Sequence, residues 1–209
     1  MLGALLGSVP PGAAREVENT MNRKLLSVAS LFLALSAPML AAADQSDAQR
    51  YEVQTPFSDI KAGAARVQVR ASLDRVHQVV SDFGSYAAHI SRFEKAKVVG
   101  RHGESTDVYL QVPILKGAAK VWAVVRFDAA KKSGDGDEVI VGHMLQGNVK
   151  RLDARWHLAK VDDATTKLDL ELLIVPDFII PVPGSMITGE VAYAAEKAVK
   201  GIRSKSEEK

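Results

Sequence analysis

Five histidines, His77, His89, His102, His143 and His157, carry most of the chemical capacity of a 209-residue chain that contains no cysteine. Their spacing is not that of a metal-ligand set. None forms an H-E-x-x-H pair, and His77 and His157 fall on the polar faces of their segments. His143 differs, because Val139, Val141, His143 and Leu145 share a parity that would carry the imidazole inward, where it reads as a hydrogen-bonded histidine at a cavity edge rather than a catalytic base. A proton-transfer catalyst would draw on His143, Tyr109, Arg126 or Arg155, each on an alternating run where polar side chains default to solvent. No nucleophile motif, paired-carboxylate spacing or phosphate-cradling loop occurs, since Gly134 and Gly136 belong to a Ser-Gly-Asp-Gly hairpin turn. Neither a metal nor a cofactor is expected, and binding is favoured over catalysis.

The apolar residues point elsewhere. Val108, Leu110, Val112 and Ile114 alternate with Asp107, Tyr109 and Gln111, and Leu168, Leu170, Leu172 and Ile174 alternate with Lys167, Asp169 and Glu171. Trp156 is in phase with Ala154 and Leu158 on the inward side of its own run. An interior built from these sets without a paired charge suits an apolar small molecule such as a sterol, acyl chain or quinone. The expected cavity wall is Val108, Leu110, Val112, His143, Trp156, Leu158, Leu170, Leu172, Phe178, Met186 and Val191.

Seven strand-like runs and one long helix must position that wall. The first run, residues 65–71, precedes a short amphipathic helix with Ser72 as N-cap and a second short helix or turn over 85–93. Six further runs follow at 95–101, 107–114, 121–127, 138–149, 154–161 and 167–175, linked by short turns too brief for parallel crossovers. Pro176, Pro181 and Pro183 then hand over to a helix over 184–203, whose stripe of Ile187, Val191, Ala194, Ala195, Ala198 and Ile202 is apolar. The order β-α-α-β6-α gives an α+β domain: a curved seven-stranded antiparallel sheet with one face covered by its C-terminal helix. The stretch 172–187 is nearly all apolar, so its loop from Phe178 to Met186 is expected to close the cavity, with transient membrane contact as a second role.

With 27 basic against 25 acidic residues the net charge is +2, too small for a nucleic-acid footprint. Nothing in the sequence indicates a dimer. Near the N-terminus, Arg23 and Lys24 precede an apolar run over 25–40 and an Ala-Ala-Ala site, the layout of a secretory signal at 21–43 cut after Ala43. On that reading residues 1–20 are an upstream extension and Met21 is the true start. Residues 44–64 are a flexible lead-in that adds at most a short helix or strand, the domain spans 65–209, and its place is the periplasm or outside the cell.

The phrases VQVRASLDRVHQVVSDFGSYAAHISRF (67–93) and LQGNVKRLDARWHLAKVDDATTKLDLELLIVPDFIIPVPGSMI (145–187) resemble the helix-grip superfamily: START-type lipid-transfer domains, polyketide cyclase/dehydrase-like proteins and coenzyme Q-binding relatives. Ala154 stands where relatives often carry Gly before the Trp-x-Leu. The resemblance implies a helix-grip fold that holds a hydrophobic ligand between sheet and C-terminal helix. A cyclase or dehydratase-like enzyme is the first alternative, and a non-catalytic interaction module with a closed cavity is the second.

Overall fold

The computed structural model describes residues 47–56, 58–114, 117, 119–177 and 183–208. The signal-like segment and Phe178 therefore lie outside the described residues.

One antiparallel sheet organises the domain. Its strands are β1 (Gln49–Thr55), β2 (Ser58–Val69), β3 (Lys95–His102), β4 (Ser105–Ile114), β5 (Ala119–Phe127), β6 (Lys131–Lys132), β7 (Glu138–Gly147), β8 (Val149–Asp162) and β9 (Thr165–Pro176). Their order is β1-β2-β9-β8-β7-β5-β4-β3, with β6 pairing β7 off this path. The helices are α1 (Leu73–Ser81), α2 (Tyr86–His89) and α3 (Gly184–Glu207), with a 3-10 turn at Phe83–Ser85 between the first two. This is the α+β helix-grip arrangement, with nine strands among the described residues in place of seven. The two additions are β6, a two-residue arm closed by the Ser133–Gly136 turn, and β1, which falls in the segment read as a lead-in. β1 covers the edge of β2 through Tyr51↔Ala64 and Val53↔Ala62, so the ordered domain begins ahead of residue 65.

Period-two patterning decides which face is buried. In register, Val67↔Leu168, Leu158↔Leu168, Trp156↔Leu170, Ala154↔Leu172, Val108↔Val125 and Leu110↔Ala123 put one continuous apolar surface on the concave side. β7 departs from its expected parity. Glu138, Ile140 and Gly142 face inward, while Val141, His143 and Leu145 are exposed. Two neighbours impose this: a Cβ at Gly142 would stand 2.6 Å from the Phe127 ring, and Glu138 turns inward to meet His77, whose Nδ1 lies 2.5 Å from Oε2.

Two glycines let the helices approach the backbone beneath them. A Cβ on Gly63 would lie 2.2 Å from the Ala192 nitrogen, and one on Gly201 would lie 2.3 Å from the His89 carbonyl oxygen. α3 thus rests directly on β2 at one end and on α2 at the other. At the second end α1, its N-cap Ser72 accepting from the Arg75 N–H, buries Val76, Val79 and Val80. These pack with Val69, Val108, Val125, Leu158, Leu168 and Ile202 into a solid core.

Candidate ligand cavity

The half of the concave face that α1 does not fill remains open space. A cavity of about 590 Å³ lies there between the sheet and α3, within the range of small-molecule sites. Aromatic side chains divide it from the solid core. Phe83 stacks on Phe127 at 4.4 Å, Tyr86 stands edge-on to Trp156 at 6.3 Å, and Phe93 lies 5.7 Å from Tyr86. Tyr86, Phe93, Phe127 and Trp156 all line the cavity.

The floor comes from inward positions of four strands: Leu110, Val112 and Ile114 on β4, Val121 and Ala123 on β5, Leu152, Ala154 and Trp156 on β8, and Leu170, Leu172 and Ile174 on β9. The roof is α3, through Met186, Ile187, Val191, Ala194 and Ala198. Charge is confined to Arg50, Arg92 and Glu190 among the described lining residues.

The structure distributes the expected wall as follows. Leu110, Val112, Trp156, Leu170, Leu172, Met186 and Val191 line the cavity. Val108 and Leu158 do not; both are wholly buried in the core outside the cavity. His143 is corrected to the outer face, where it pairs in register with Arg126, because β7 has the opposite parity to the one its valines suggested. Phe178 lies outside the described residues.

The other polar candidates also face outward. Arg126 binds Asp107 through Nε and Nη2 at 2.7 and 2.8 Å, and this guanidinium holds the Asp107 carboxyl below the usual carboxylate range. Tyr109 stacks on Trp122 and donates to Gln111, and Arg155 is exposed. Inside the cavity, Tyr86 donates its hydroxyl to the Val80 carbonyl at 2.6 Å, and burial pushes its phenol well above the usual tyrosine range. It is fixed as a neutral donor to the backbone. Among the described residues no three His, Asp or Glu side chains converge as metal ligands would.

Sequence reasoning passed over Arg50, Tyr86, Arg92, Phe93, Val121, Ala123, Phe127 and Leu152 as lining residues. The alternation of Val121, Ala123, Val125 and Phe127 was available as a signal. No local pattern announces Arg50 or Arg92, whose places depend on partners on α3: Glu196 for the first and Glu190 for the second.

A family described as "Polyketide cyclase / dehydrase and lipid transport" matches residues 69–198. No curated protein matches the chain. Among solved structures, a STAR-related lipid transfer protein from Xanthomonas axonopodis is similar at 16% identity and TM-score 0.66, covering 80% of this chain and 97% of that one. Human STARD10 aligns at 11% identity and TM-score 0.60, over 76% of this chain and 69% of its own. The Zhui aromatase/cyclase from Streptomyces sp. R1128 aligns at 17% identity and TM-score 0.57, over 77% and 94%. Lipid-transfer proteins and cyclases thus share this fold, and with a family match that runs from the end of β2 through the cavity strands into α3, the chain belongs to the polyketide cyclase/dehydrase and lipid transport family.

Proposed function

We propose that this protein binds one hydrophobic small molecule, of the lipid, sterol, quinone or polyketide-like class, and carries it shielded from water. The observation that carries the reading is the 590 Å³ apolar cavity between sheet and α3. Each methylene buried in such a wall contributes about 0.8 kcal/mol, so an acyl- or sterol-sized body supplies ample affinity without a covalent bond. None of the four proton-transfer candidates read from the sequence, His143, Tyr109, Arg126 and Arg155, lines the cavity, which favours binding over turnover. The signal-like segment over 21–43 supports a place of action in the periplasm or outside the cell.

Native mass spectrometry of the protein purified from a bacterial host, with organic extraction of the same sample, tests this. The expected result is a one-to-one apolar adduct that disappears in Leu172→Trp, where an indole projects into the cavity from β9. Protein that stays empty when offered fatty alcohols, sterols and quinones contradicts the carrier reading. The protein mass also reports whether the chain is cut after Ala43.

A further inference from the structure

The three charged residues of the cavity wall are not equivalent. Arg50 has a half-exposed side chain, and its Nε lies 3.1 Å from Glu196, a carboxylate that Lys200 also holds at 2.6 Å. Arg92 is covered more deeply: 18% of its side chain is exposed, against 45% for its partner Glu190. Its Nη2 donates to Glu190 at 3.1 Å, and the Tyr193 ring lies beneath the guanidinium at 5.1 Å. Its Nε is buried and has no hydrogen-bond partner.

Nε and Nη2 form one edge of the guanidinium, a pair of parallel N–H groups matched to the two oxygens of a carboxylate. This fold contains a filled example, in which Arg126 gives both donors to Asp107 at 2.7 and 2.8 Å. The same edge of Arg92 is half filled. A buried donor on a cation is costly to leave empty, and an exposed ion pair such as the one Glu190 offers is weak and exchangeable.

We propose that Arg92 is the head-group site of this cavity and that the ligand is an amphiphile ending in a carboxylate. Its two oxygens take the Nε and Nη2 donors, Glu190 swings into solvent, and the apolar body lies along Leu110, Trp156 and Leu170. The assignment rests on the cavity being a hydrophobic ligand site. A hydroxyl or a quinone carbonyl presents one acceptor atom to this two-donor edge, whereas a carboxylate presents two. The Tyr193 ring keeps the guanidinium in place after Glu190 leaves.

The test titrates the full chain at pH 8 with parinaric acid, a fluorescent polyene fatty acid, and with the alcohol of the same chain. The acid is expected to bind about tenfold or more tightly than the alcohol, the scale of a charge-assisted hydrogen bond. Arg92→Gln brings the acid-to-alcohol affinity ratio down to about one. Glu190→Gln, which removes the competing carboxylate, raises that ratio. Equal affinities in the natural protein, or an acid preference that survives Arg92→Gln, overturn the head-group assignment while the cavity reading stands. If Arg92→Gln does not fold, Glu190→Gln decides, because a ratio that fails to rise contradicts the exchange. If neither probe binds, the cavity reading falls and takes the head-group site with it.

Discussion

Asp107 shows how a side chain assigned to solvent by pattern is held by its neighbours. It is 6% exposed on the outer face, gripped by Arg126 along a whole guanidinium edge and approached by His102 Nε2 at 3.1 Å. The Arg126 hydrogen bonds, opposed by burial, set its carboxyl below the ordinary range. A carboxyl with a lowered folded-state pKa contributes stability that is fully present above its unfolded value near ~3.9 and is lost as pH falls through the folded value. The difference in urea stability between the natural protein and Asp107→Asn should therefore be present at pH 7 and shrink as pH falls below about pH 4. A difference that is the same at pH 3 and pH 7 would show that the Arg126 contact adds nothing through charge. At this scale the sequence was informative about aliphatic residues and silent about charged ones. Leu170 and Leu172 declare their face by alternation, but Arg92 is placed by Glu190 and Tyr193, nearly a hundred residues later, and no local window contains that information.

Among the elements, α3 controls the cavity because it is both roof and clamp. Gly63 sets how closely it sits: any Cβ there meets the Ala192 backbone, which cannot move aside as a flexible side chain could. Gly63→Val should force α3 off β2, cost about 1–3 kcal/mol or more in chemical denaturation, and weaken ligand binding together with stability. Retained stability would mean that the helix floats over the sheet. The helix itself and β4, β5, β8 and β9 were legible because one buried face writes a clear period of 3.6 or 2 into the sequence. β7 misled for a definite reason. Its inward residues are Glu138, Ile140 and Gly142, one charged and one without a side chain, so the exposed Val141 and Leu145 carry the stronger apolar signal. β1 was only weakly legible: Tyr51 and Val53 alternate, but the run is short and otherwise polar, so it allowed a short helix or strand without deciding between them, and pairing with β2 decides it. The place of the break between β7 and β8 was also hidden: the Asn148 side chain accepts from the Trp122 N–H and donates to the Lys120 carbonyl, so the chain turns there and not over 150–153, where the link between the two runs was expected.

For the whole molecule, the division into a solid half and a hollow half is the functional statement. α1 and the aromatic partition fill one end, and the space left at the other is large enough for a ligand but too apolar to be useful to water. The two tryptophans lie on opposite faces of the sheet, Trp156 in the cavity wall and Trp122 on the outer face against Tyr109. In Trp122→Phe the emission comes from Trp156 alone, which makes the cavity report on itself. The most direct measurement is a titration of that variant with the polyene fatty alcohol, following energy transfer from Trp156 to the bound chain. The expected result is transfer that saturates at one ligand per chain and is abolished when Ala194→Phe, which adds no second emitter, fills the cavity from α3, with unlabelled ligand reversing it competitively. Absence of transfer, or a rise that never saturates, would contradict a ligand held between the sheet and α3.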